Sequence, residues 1–136
     1  GVSREMIYNC REHLHSSGLL TELFSGAKGN DLVRKPAKLL IHNTSVLNAI
    51  AGSLKLEAGL GGMRETFFVN QVSSLHRVLL HAKGDFIIDD SLVIEVGGKG
   101  KNNKQIRGLE NAYLALDDAT IGLGNRIPLY LFGLLY

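Results

Sequence analysis

Asp85 and Glu95 stand ten residues apart, each on an apolar, β-branched stretch, with the polar run Asp89-Asp90-Ser91 between them. Two carboxylates within reach of each other can share a hard divalent cation, and a nearby amine can then steady a phosphate or activate water. Whether they meet is a question of register. A three-residue hairpin loop pairs residue 85 with residue 95, so both side chains leave one face at cross-strand distance. A two-residue loop pairs residue 85 with residue 94, and the acids then face opposite ways. Glu65, on the preceding helical segment, offers a third carboxylate. The competing reading of all three acids is solvated surface charge.

Glu95 also opens "EVGGKGKNNKQ", where strand, glycines and lysines follow in the order of a phosphate-binding loop. That motif needs Gly, four residues, then Gly-Lys-Ser/Thr, so that backbone N–H groups cradle the phosphates and a hydroxyl meets Mg²⁺. Setting its Gly-Lys on Gly100 and Lys101 leaves Glu95 in place of the first glycine and Asn102 in place of the hydroxyl. A carboxylate there repels a nucleotide, so the stretch does not read as an ATP cradle.

Bulk properties narrow the classes. A length of 136 residues suits one domain, or one domain with a small appendage. With 45% hydrophobic and 21% charged residues, neither disorder nor a membrane protein is indicated. The longest apolar run, "IPLYLFGLLY", is about half of what a bilayer requires. It reads as a buried terminal helix or strand, and no membrane partner is expected. A net charge of +2 is too small by itself to argue for nucleic acid, since clustering matters more than the sum. The lone Cys10 excludes an internal disulfide and a cysteine-based zinc site, which favours a reducing, cytoplasmic setting. His13, His15, His42, His76 and His81 show no metal-ligand spacing, and Met63 and the phenylalanines read as core. No signal peptide is visible, and the chain opens on Gly1, not Met, which suggests a piece of a longer protein.

The acids must be positioned by the elements around them. From Ser3, Ile7, Cys10 and Leu14 recur at helical spacing up to Gly18. "LLTELF" and "AKLLIHN" read as a hairpin whose long polar tip carries Lys28, Arg34, Lys35 and Lys38. "TSVLNAIAG" predicts a short helix capped by Thr44 or Ser45 and closed by Gly52. The glycine-rich "EAGLGG" marks a boundary near residue 58. Beyond it Leu60, Met63, Phe67, Phe68, Val72 and Leu75 share one half of a helical wheel, with Arg64 and Gln71 inside that arc and Glu65 just outside. Polar groups so placed must find partners or line a site. "RVLLHA", "DFIID" and "SLVIEV" read as short strands. Ile106, Leu109, Tyr113 and Leu116 then predict a helix capped by Asn102 or Asn103 and ended by Asp117 and Asp118.

The segments "RETFFVNQV", "GDFIID", "EVGGKGK", "KQI" and "IPLYLFGLLY", with "GLLTEL" and "LVRKPAKLLIHNTSVLNAIAG" upstream, resemble the uncharacterised C-terminal region of a family of prokaryotic AAA-type ATPases. The resemblance covers nearly the whole chain. It implies residues 1–58 as part of a winged-helix-like segment and 59–136 as a domain similar to the PD-(D/E)XK nuclease fold. The fold class expected is therefore α/β, a mixed central sheet flanked by helices, restriction-endonuclease-like, with an N-terminal helix-plus-hairpin appendage. ATP would belong to a separate N-terminal ATPase module, which would be this region's own partner.

By resemblance, Glu65 takes the place of the helix acid, Asp85 the strand aspartate and Glu95 the acid of the next strand, with Mg²⁺ or Mn²⁺ at Asp85 and Glu95. The signature wants Glu, one residue, Lys, but that place holds Gly97, and the first lysine is Lys99. Four residues of straight strand span about 13 Å, so Lys99 meets the metal only if the chain bends at Gly97-Gly98. Gln105 resembles a glutamine that some nucleases of this fold use near the metal or phosphate; an ordinary solvent-facing residue is the alternative. Two functions follow. One is a nucleic-acid-binding domain, cutting or not, in which Lys99, Lys101, Lys104 and Arg107, with Lys28, Arg34 and Lys35 of the hairpin, neutralise DNA phosphates. The other is a non-catalytic module that docks on the ATPase or another protein.

Overall fold

A computed structural model of the chain describes residues 1–26 and 35–135. The architecture is mixed α/β. Helix α1 (Arg4–Ser16) leads into the antiparallel hairpin β1 (Leu20–Leu23) and β2 (Lys38–Ile41). Helices α2 (Thr44–Ser53) and α3 (Leu60–Val72) follow, then strands β3 (Val78–Leu80), β4 (Phe86–Ile88), β5 (Leu92–Gly97), β6 (Ala112–Leu116) and β7 (Arg126–Pro128), and a closing 3₁₀ helix (Leu129–Leu134). The five later strands form one sheet in sequence order. Its first two pairings are antiparallel and its last two parallel.

Local chemistry explains the helix ends. Ser3 accepts the Met6 N–H at 3.1 Å to cap α1, and Gly18 takes the left-handed conformation beyond it. In α2 the cap is Asn43, not Thr44 or Ser45: its extended backbone lets Oδ1 accept the Val46 N–H at 2.9 Å. Gly52 lies inside α2, and Lys55 takes the left-handed position after it, at φ +55°.

One apolar cluster joins the sheet to α3 and the hairpin. It contains Phe68, Val69 and Val72 of α3, Phe86, Ile88, Ile94 and Val96 of the sheet, and Leu23 and Leu40 of β1 and β2. Core packing thus runs across the boundary expected near residue 58. The backbone does the same: Leu80 donates to the Phe24 carbonyl and Gly26 to the Leu80 carbonyl, so the end of β1 runs beside β3. Phe132 of the 3₁₀ helix packs edge-on against Phe68, with ring centroids 4.9 Å apart. The apolar stripe predicted for α3 is shorter along the chain than expected, because Leu60 at its start is exposed and Leu75 lies beyond the helix and is exposed too.

The opposite face of the sheet is covered differently from the expectation. No helix forms over 102–118. Ile106 is buried and Leu109 partly so in a chain of turns, packed on Val93, Leu114 and Leu116. Gly108 at φ +79° and Asn111 at φ +52° interrupt any helix there. Tyr113 and Leu116, counted as helix face, belong to β6, whose parallel ladder with β5 satisfies the backbone.

Candidate functional site

The three-residue register is the one adopted. Phe86 pairs with Ile94 and Ile88 with Leu92, leaving Asp89, Asp90 and Ser91 as the loop and setting Asp85 beside Glu95. Ser91 donates to the Ile88 carbonyl, and the two central residues of that turn, Asp89 and Asp90, have φ +47° and +56°. This is a type I′ turn with one extra residue, a twist that matches the flanking strands. Arg77 N–H and His76 hold the Asp89 carboxylate, which lowers its pKa.

Side-chain parity places Glu95 on the face of Val93, opposite the face of Ile94 and Val96 that α3 covers. Glu95 is fully buried, at 0% exposure. Lys101 Nζ forms an ion pair with its Oε1, outside hydrogen-bond geometry, and neither oxygen accepts a hydrogen bond among the described residues. Burial pushes the Glu95 carboxyl above its ordinary pKa; Lys101 opposes that shift and the nearby Asp85 charge adds to it. Asp85 is half-buried beside it. Its Oδ2 accepts the Val96 N–H at 2.8 Å, and Oδ1 has no partner among the described residues. His81 Nδ1 accepts the Lys83 and Gly84 N–H groups and so shapes the turn that delivers Asp85.

The amine that reaches Glu95 is Lys101, not Lys99. The chain does bend after Gly97, through a turn in which Lys101 N–H donates to the Gly98 carbonyl and Gly100 sits at φ +93°. That reversal leaves Lys99 exposed at its tip, with no partner among the described residues. Lys101 is folded back across Gly97, where an added Cβ would lie 2.6 to 2.9 Å from the Lys101 stem. Gly98 is as close to Arg64, whose guanidinium pairs with Asp117. The glycines therefore serve close packing of two basic side chains, one on each face. Burial alone would lower the Lys101 pKa, but Glu95, Asp85 and Glu65 outweigh it and raise it.

Glu65 is not a third ligand at this point. It sits on α3, on the other face, where Lys38 of β2 holds its Oε2 at 2.6 Å. Among the described residues no three His, Cys, Asp or Glu side chains group as a metal site. The oxygen set of Asp85 and Glu95 still fits Mg²⁺ or Mn²⁺, which bind through one or two carboxylates and fill the remaining positions with water and phosphate oxygens. The buried Glu95 Oε2, which has no hydrogen-bond donor among the described residues, is the feature such an ion would satisfy.

The expected phosphate-binding residues are dispersed. Lys104, Gln105 and Arg107 are exposed on the 98–111 segment, a series of turns and not the start of a helix. Lys101 faces inward. Lys35 is exposed on the hairpin near the Tyr8 ring, whereas Lys28 and Arg34 lie outside the described residues. Sequence reasoning missed Arg64 as the clamp on Gly98 and Lys38 as the partner of Glu65. The "GKGK" turn signal, with glycine where a positive φ is needed, could have pointed to Lys101.

The molecule is thus a mixed α/β fold with a buried acid on the central strand of its five-stranded sheet, paired with a partly exposed amine. No protein-family model, curated protein or solved structure matches the chain. Among the described residues no helix is long and apolar enough to cross a membrane.

Proposed function

We propose that this chain is a nucleic-acid-binding accessory domain of an AAA-type ATPase, with a divalent-cation centre at Asp85 and Glu95. The observation that carries the reading is Glu95, fully buried beside Asp85, with the Lys101 ammonium on Oε1 and no hydrogen-bond donor on Oε2 among the described residues. Burying an ion costs several kcal/mol unless it is compensated, so solvated surface charge does not describe this residue. Bound there, Mg²⁺ or Mn²⁺ would polarise a phosphodiester oxygen. Asp85 and Glu95 would hold that ion, and the exposed Lys104 and Arg107 would neutralise backbone phosphates.

DNA affinity is expected to fall steeply between about 50 and 200 mM salt; a flat response removes the nucleic-acid reading. Cleavage of an oligonucleotide with Mn²⁺ or Mg²⁺ is expected to be abolished by Asp85→Asn and by Glu95→Gln. An unchanged rate in either dismisses this centre. One observation favours a second reading, a non-catalytic docking module: Lys38 engages Glu65 on the α3 face, so the acid expected from the helix is paired elsewhere. That module would show no cleavage, and Glu95→Gln would bind its partner as the wild type does.

A further inference from the structure

The centre already contains a cation. The Lys101 ammonium meets Glu95 Oε1, and the charges of Asp85 and Glu65 also act on it. Its position is built in three ways. The turn over residues 98–101, with Gly100 at positive φ, points it backward. The missing side chain of Gly97 gives its stem a channel that any Cβ would close. Arg64, paired with Asp117, packs on Gly98 and holds the turn from the other face.

We propose that Lys101 is a built-in competitor for the divalent cation, so that metal binds Glu95 only when the ammonium swings away from Oε1. The proposal rests on the reading of Asp85 and Glu95 as cation ligands. A hard cation needs a carboxylate oxygen at close range and is repelled by a fixed ammonium on that same oxygen. The turn over residues 98–101 then acts as a latch: closed it neutralises Glu95, and open it presents the amine outward. A lysine fixed beside the metal as a helper makes the opposite prediction, since removing it would leave metal affinity unchanged or weaker.

Mn²⁺ binding to the full chain is measured by isothermal titration calorimetry and by electron paramagnetic resonance of free Mn²⁺, at pH 8 without nucleic acid. Lys101→Met is expected to bind Mn²⁺ at least about tenfold tighter than the wild type. Lys99→Met makes the same charge change at the exposed tip and is expected to stay within about twofold. Gly97→Ala keeps every charge but crowds the Lys101 stem, and is expected to tighten binding in the same direction. It serves as the test if thermal melting shows Lys101→Met unfolded. Wild-type binding with no tightening in Lys101→Met or Gly97→Ala overturns the latch and leaves the cation centre standing. Equal tightening in Lys99→Met overturns it as well, because bulk charge then explains the effect. If neither wild type nor Lys101→Met binds Mn²⁺, the latch and the cation reading both fall.

Discussion

Glu95 shows how one residue sets the chemistry of a site through its cost to the fold. Its pKa is raised because burial disfavours the carboxylate more than Lys101 favours it. A folded-state pKa above the unfolded value means stability that is present at low pH and lost as the group ionises. Glu95→Gln removes that loss. The difference in melting temperature between Glu95→Gln and wild type is therefore expected to move in favour of the variant as pH rises from about 4, near the unfolded carboxylate pKa, toward 8. Thermal melts across that range check it, and a difference independent of pH would show that Glu95 does not titrate in this way. Asp89 carries the opposite sign, since Arg77 N–H and His76 stabilise its charge. Its contribution is present at neutral pH and lost on acidification.

At the scale of elements, the turn from Gly98 to Lys101 decides which amine enters the site. A straight continuation of β5 would carry Lys99 away from Glu95, and the reversal brings back the residue two positions later. Gly100 makes the reversal cheap, because a residue with a Cβ at φ +93° is strained. Gly100→Ala is expected to cost about 1–2 kcal/mol in chemical denaturation. It should also loosen the Lys101–Glu95 pair, seen as altered lysine Nζ signals in NMR. Unchanged stability would mean the turn adopts another geometry. The segment beyond it, through Asn111, covers a sheet face without forming a helix, and so leaves Lys104, Gln105 and Arg107 outward.

For the molecule as a whole, the hairpin and the five-stranded sheet share one core. Leu23 and Leu40 are buried with Phe68 and Phe86, and the 24–26 backbone bonds to β3. A shared core predicts shared cooperativity. Leu40→Ala is expected to lower stability by about 2–5 kcal/mol and to shift one transition, seen alike by far-ultraviolet circular dichroism and aromatic signals. Two separated transitions would show that residues 1–58 and the sheet fold independently. This core also fixes the site, because α3 covers one face and thereby consigns Glu65 and Glu95 to opposite sides.

Strand and hairpin periodicity, the polar punctuation of the turns and the ten-residue spacing of Asp85 and Glu95 were legible in the sequence, since each depends on neighbours close along the chain. Even the hairpin register was narrowed there to two choices, of which only one lets the acids meet. The misreading of Tyr113 and Leu116 as helix has the same physical root: a few apolar positions fit both periods, and parallel pairing with β5 decided between them. What only the tertiary structure decided are contacts between distant segments. They include Lys38 on Glu65, Arg64 on Gly98 and Asp117, and the burial that turns Glu95 from a surface charge into a buried acid paired with Lys101. Local pattern sets which way a side chain leaves its own element; which charge waits on the other side depends on how elements pack, and no short-range rule carries that information.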